Sequence, residues 1–317
     1  MKETPKIAYL DYVFVLRPIL FFPGWSTMLA GFFVAWRHQW FFTIREMPSV
    51  DSWLILRLMI LFAAAMGACF LLNQLQDVES DKRNSKLFII AQGCIGIRAA
   101  TIEVIFLMVV SLTMACFVSI QTVLFVSAFI FLTGYLYNYR PLRLKNRPWG
   151  SLTANAMMGW LAFAIGWSAH HPINFSLVAD SLPYLFFNTA LYFFTTLPDM
   201  AGDAQSGKRT LAVVYGVKFI IHISVVLYIL SGVFAFVLQD NQALFFILLS
   251  LPFFAITFWQ KDTRSAVRTT KFAIFFFALA VCLKWPVYFI LMIFTFFFTR
   301  WYFNRRFGFD YPNFRPS

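Results

Sequence analysis

Asn73, Asp77 and Asp81 stand four residues apart. On a helix that spacing stacks three oxygen-bearing side chains on one face, one turn above another. Such a stack is favourable around a bound cation, and Glu79 adds a further acid to the same run. A second stretch, Leu197 to Leu211, carries Asp199 and Asp203 at the same interval. Two matched aspartate pairs suggest two halves facing one cavity. Carboxylate oxygens converging on a site suit Mg²⁺, a hard cation that usually binds through carboxylates together with substrate phosphates. Lys208 and Arg209 lie just past the second pair, and Arg140, Arg143 and Lys145 lie in another polar loop. A diphosphate needs such cationic donors in addition to metal. The plainer alternatives are helix ends capped by aspartates and cations that only set topology.

The elements that must position these residues are apolar. Of 317 residues 60% are hydrophobic and 13% charged, and the mean hydropathy is +0.71. Those values lie outside the range of soluble domains and imply an integral, multi-pass membrane protein. The 42 phenylalanines suit packing and a lipid-facing surface. A net charge of +12 would ordinarily suggest nucleic acid, but the cations fall in short loops between apolar runs, so no nucleic-acid partner is expected. Cys69, Cys94, Cys116 and Cys282 show no metal-ligand or redox spacing. Lys2 and Lys6 lead into a full-length apolar run with no clear cleavage site, so no removable signal peptide is expected.

With about 20 apolar residues needed per crossing, nine spans are predicted: 13–36, 53–75, 98–118, 121–138, 150–170, 178–197, 211–238, 243–260 and 272–298. Lys82, Arg83 and Lys86, then Arg140 to Arg147, Lys208 and Arg209, and Lys261 to Arg268 fall in alternate loops. The loops near Ser119, His170 and Asp240 hold no Lys or Arg. The positive-inside rule places the first set, the N-terminus and both acidic loops in the cytoplasm. Nine spans would then leave Arg300, Arg305, Arg306 and Arg315 outside, in conflict with that rule. The acidic loops, about 73–98 and 198–210, are longer than simple connections need, which favours function over linkage.

On these residues the chain resembles the UbiA superfamily of membrane prenyltransferases. Asn73, Asp77 and Asp81 match its NxxxDxxxD motif; Asp199, Asp203, Gly207, Lys208, Thr210 and Leu211 match its DxxxD and Gly-Lys-x-Thr-Leu run. Tyr137 to Lys145 is similar to its YxxPPLRLK loop, with Arg140 in place of the first proline, and Arg17-Pro18 gives a weaker likeness. After the first motif the family's Arg-Pro element is missing, and Lys86 is the nearby cation.

The resemblance implies one all-α domain over 1–317, a barrel-like bundle around a central cavity capped by the acidic loops. It implies Mg²⁺ held by Asp77, Asp81, Asp199 and Asp203, with Asn73 orienting that shell. Lys208 would stabilise the departing diphosphate, Tyr137 would face an allylic cation, and Arg17, Lys145, Arg140 and Lys86 would contact phosphate. The partners expected are an allylic isoprenyl diphosphate, a lipid-soluble or aromatic acceptor, and membrane lipids. The expected location is the inner membrane of a bacterial or archaeal cell. An aromatic quinone precursor is the default acceptor; a glycerol phosphate lipid, a carotenoid or a sugar phosphate stays open. From other classes, an ion-coupled secondary transporter would place its acids near the bilayer midplane, and a CDP-alcohol type phosphotransferase would crowd them into one Asp-Gly-rich motif.

Overall fold

A computed structural model describes residues 8–36, 51–83, 89–205, 207 and 209–312, with only the backbone described at 80–83. Among these described residues ten long helices carry the fold: α1 Phe21–Val34, α2 Ser52–Arg83, α3 Ile97–Cys116, α4 Ile120–Phe129, α5 Pro148–Trp167, α6 Phe175–Thr195, α7 Leu211–Val237, α8 Asn241–Gln260, α9 Thr263–Lys284 and α10 Val287–Phe307. Among the described residues, seven helical segments are apolar and long enough to cross a membrane. The all-helical architecture expected from the sequence is what the chain adopts.

Local chemistry sets the helix starts. The side chains of Ser119, Asn174, Asp240 and Asp262 accept the backbone N–H of Thr122, Ser176, Ala243 and Ser265, which satisfies donors that the first helical turn leaves unpaired. Pro148 opens α5, where its missing N–H costs nothing. Helix α4 continues as a π-helical segment, Ile130–Leu136. There the Asn138 amide donates to the carbonyls of Thr133 and Gly134 at 2.9 and 3.1 Å, meeting carbonyls at the end of the wider turn.

Two tight crossings hold α1 against α5. A Cβ on Gly31 would lie 2.1 Å from the Phe163 carbonyl oxygen, and one on Gly166 would lie 1.8 Å from that of Met28. Backbone approaches this close are available only to glycine, as is usual where helices pack without a hydrophobic drive between them. Around this pair the core fills with fully buried rings, Phe32, Phe163, Phe187 and Phe246 among them. Many other phenylalanines, such as Phe289, Phe294 and Phe297, are exposed on α10 and face outward.

The ninth expected span needs correction. The stretch 272–298 is two helices, α9 and α10, broken at Trp285 and Pro286. Proline has no N–H and clashes with the preceding turn, and the Trp285 indole instead donates to Ser52 Oγ at the start of α2. The chain therefore turns back, and α10 ends beside the N-terminal segment. Arg306 donates to both oxygens of buried Asp11 at 3.0 and 2.8 Å, and the Tyr302 hydroxyl donates to the same carboxylate at 2.5 Å. Phe14 stacks on Tyr302 with ring centroids 3.9 Å apart. The cationic end of α10 thus lies beside the N-terminal segment, which Gln74 ties to the acidic end of α2.

Replacing Gly166 by Ala should destabilise the detergent-solubilised protein by about 2 kcal/mol or more. Gly232→Ala meets only ordinary contact at 3.7 Å and should leave the thermal unfolding midpoint nearly unchanged. Asp11→Ala leaves Arg306 unpaired in a mostly buried place and should cost about 3 kcal/mol, read in the same assay. Part of that loss should return when Arg306 is also replaced by Met.

Candidate active site

The acidic end of α2 is fixed from two sides. Gln74, buried and one residue past Asn73, donates its amide to the Val15 carbonyl at 2.7 Å. That bond ties the N-terminal turn to the acidic helix. Two residues further on, Arg17 adopts a left-handed conformation (φ 56°, ψ 60°) as the chain enters the Pro18–Leu20 turn. From the other side comes the loop after Tyr137. It folds back on itself through the Lys145 N–H to Tyr137 carbonyl bond at 3.3 Å, with Arg143 at a left-handed φ of 39° and a cis Arg140–Pro141 bond.

This fold-back delivers Lys145 onto the first motif. Its ammonium donates to Asn73 Oδ1 at 2.9 Å and to both Asp77 oxygens at 2.8 Å. Arg143 approaches the same carboxylate at 3.9 Å. The Lys145 side chain is 11% exposed and that of Asp77 26%, so the pair sits at a partly desolvated helix end, where charge interactions are stronger than in open water. Asn73, Asp77 and Lys145, all named from the sequence, meet in one cluster.

The second motif forms a turn on the same side. Asp199 is exposed and accepts the Asp203 N–H at its carbonyl, 2.8 Å away, opening the short helix Met200–Gln205. Gly207 (φ 71°) then turns the chain toward Thr210, a conformation that favours glycine. Asp203, half-buried, lies within electrostatic reach of Tyr192, as does Tyr137. The Tyr192 hydroxyl bonds Ser151 Oγ at 2.7 Å. Tyr192 and Ser151 are site candidates that the sequence reading missed. Tyr192 sits inside the apolar run Leu191 to Phe194, where no spacing marks it.

The remaining candidates are placed as follows. Arg140 is exposed in the folded loop. Asp81 lies on the last turns of α2, with its side chain outside the described set, and Lys86 and Lys208 lie outside the described residues altogether. Among the described residues no three of His, Cys, Asp and Glu come together as a ready-made metal cage. The donor set nevertheless fits a hard cation. Three oxygens of Asn73 and Asp77 already converge on one positive charge, the Lys145 ammonium, and oxygen is the donor type Mg²⁺ prefers.

Comparison with known proteins places the fold. A UbiA homolog from Archaeoglobus fulgidus superimposes with a TM-score of 0.65 at 21% identity, over 89% of this chain and 99% of that one. The same homolog bound to GPP and Mg²⁺ gives 0.65 at 19% identity, over 86% and 99%. A structure described as digeranylgeranylglyceryl phosphate synthase gives 0.64 at 16%, over 90% and 99%. Comparison with curated protein sequences returned no match. The sequence pattern of the UbiA prenyltransferase family matches residues 24–281, a stretch that runs from α1 to α9 and contains both aspartate pairs and Lys145, and on that match the chain belongs to the UbiA prenyltransferase family.

Proposed function

We propose that this protein transfers an isoprenyl group from an allylic diphosphate to a membrane-dissolved acceptor, releasing diphosphate, with Mg²⁺ as cofactor. The observation that carries the reading is the convergence of Asn73 Oδ1 and both Asp77 oxygens on a single positive charge at 2.8 to 2.9 Å. It is supported by the A. fulgidus homolog described as bound to GPP and Mg²⁺. Asp77, Asp81, Asp199 and Asp203 would hold the metal. When bound, the metal supplies Lewis-acid neutralisation of the charge that grows on the diphosphate as the C–O bond breaks.

The chain's own residues do the rest. Asn73 would orient the metal shell beside Asp77. Lys145, Arg143 and Arg140 come from the folded loop and would offer N–H donors to phosphate oxygens, and Arg17, on the turn that follows Val15, is a further candidate phosphate contact. Lys86 and Lys208, which lie outside the described residues, are further candidate donors by sequence alone. Fixed donors aimed at developing charge are the usual source of most of the rate enhancement. Tyr137, with Tyr192 beside it, presents an aromatic ring to the allylic cation.

For the acceptor, the reading is an aromatic quinone precursor. An apolar groove of about 540 Å³ opens between α2, α3 and α4, lined by Leu72, Met108, Leu112, Phe131, Tyr135 and Tyr139. Phe131, Tyr135 and Tyr139 stack in a row with centroids 5.7 Å apart. A planar ring with an apolar tail suits such a row. The fold of the digeranylgeranylglyceryl phosphate synthase favours a second reading, a glycerol phosphate lipid as acceptor. The acids stand at a helix end and in the turn after α6, not in the middle of spans, which speaks against an ion-coupled transporter.

Asp77→Asn and Asp203→Asn should each lower Mg²⁺-dependent diphosphate release from an allylic donor by about 100-fold or more. The assay is purified protein with labelled allylic diphosphates of several lengths and a lipid extract, the product identified by mass spectrometry. Full turnover in either variant would defeat the metal-cradle reading. Ion-coupled uptake into sealed vesicles without diphosphate release would favour the transporter.

A further inference from the structure

We propose that Lys145 is an exchangeable placeholder cation: its ammonium occupies the oxygen cluster of Asn73 and Asp77 until Mg²⁺ arrives with diphosphate, and it then moves to the phosphate oxygens. This inference rests on the prenyl-transfer reading of the site and adds an order of events to it.

The geometry points this way on three counts. First, Lys145 Nζ meets Asn73 Oδ1, Asp77 Oδ1 and Asp77 Oδ2 at 2.9, 2.8 and 2.8 Å, so the three N–H donors of one ammonium are matched to three oxygens, the Asp77 carboxylate among them, that face the proposed metal position. A divalent ion bound by those oxygens would stand about 2 Å from each, inside the space the ammonium fills. The two cations therefore exclude each other sterically as well as by charge. Second, the lysine is built into this position. The Lys145 N–H to Tyr137 carbonyl bond, the Asn138 amide on two carbonyls of the π-helical segment, and the left-handed Arg143 all shape the loop that presents it. Third, a lysine is a flexible stem with a compact charge, so the ammonium can swing while the loop backbone stays in place.

The consequence is a coupling between metal and diphosphate. Metal alone must displace Lys145 from three short oxygen contacts. Metal that arrives with diphosphate brings phosphate oxygens that the displaced ammonium can take up. Metal without substrate should then bind weakly, and diphosphate should strengthen metal binding by more than its own metal contacts supply. Energetic coupling of this kind is reciprocal.

The test uses the full-length purified protein with Mn²⁺ as a spectroscopic probe, titrated by electron paramagnetic resonance with and without inorganic pyrophosphate. Lys145→Met should tighten Mn²⁺ binding in the absence of pyrophosphate by tenfold or more, and should shrink the strengthening caused by pyrophosphate. Lys145→Arg keeps the charge and should retain weak binding of metal alone. Thermal unfolding of each variant reports that it is folded and should show Lys145→Met less stable than wild type without metal, with the loss reduced by saturating Mn²⁺. If Lys145→Met binds Mn²⁺ alone no tighter than wild type, the exchange is wrong and Lys145 is only a phosphate contact or a structural ion pair. If Lys145→Met does not fold, a Lys145→Arg protein that binds Mn²⁺ alone as tightly as the wild-type protein does with pyrophosphate would equally overturn it. Asp77→Asn separates the two levels: Mn²⁺ binding unchanged in that variant would refute the metal cradle itself, whereas lost binding there with no gain in Lys145→Met would refute the exchange alone.

Discussion

Negative charge gathered at the edge of a membrane has to be answered by positive charge, and the site follows from how that is arranged. Asp77 stands on the last turns of a helix whose earlier turns are buried and apolar, where an unanswered carboxylate is costly. Lys145 supplies the answer from a separate loop, with Asn73 sharing it. The loop can do this only because α4 widens into a π-helical segment and Asn138 seals its end. Single-turn widenings of this kind are often found where a helix is bent to functional use.

The rest of the bundle keeps that edge in place. Glycine crossings at Gly31 and Gly166 bring α1 and α5 together at backbone distance, and Gln74 fastens the N-terminal segment to the acidic helix. On the opposite face of the bundle, Trp285 holds the break between α9 and α10 against the start of α2. These contacts are short, specific and mostly backbone-directed. Apolar side chains alone would leave the helices free to slide against one another, since lipid is as apolar as they are.

Much of this was legible in the sequence because it is local. The interval between Asn73, Asp77 and Asp81 survives intact on a continuous helix, and the repeated interval at Asp199 and Asp203 marks the second loop. Lys145 was nameable as a cation in a polar loop. Its seat between Asn73 and Asp77 depends on a fold-back about 70 residues away along the chain, and no local pattern encodes that. Tyr192 is hidden in a run of apolar neighbours. The glycine crossings are invisible because an isolated glycine in an apolar run carries no mark of what lies opposite. The break at Trp285 and Pro286 escaped a hydropathy reading since the residues on both sides stay apolar, yet Pro286 and the arginines of the tail were signals for it.

The pairing of Asp11 with Arg306 spans 295 residues of sequence. During synthesis the Asp11 carboxylate waits for 295 further residues before its guanidinium partner exists. A chain interrupted anywhere before α10 would therefore keep an uncompensated acid and an exposed Phe14 at the membrane edge. The finished protein and its unfinished forms differ in a charge and an aromatic patch on that face.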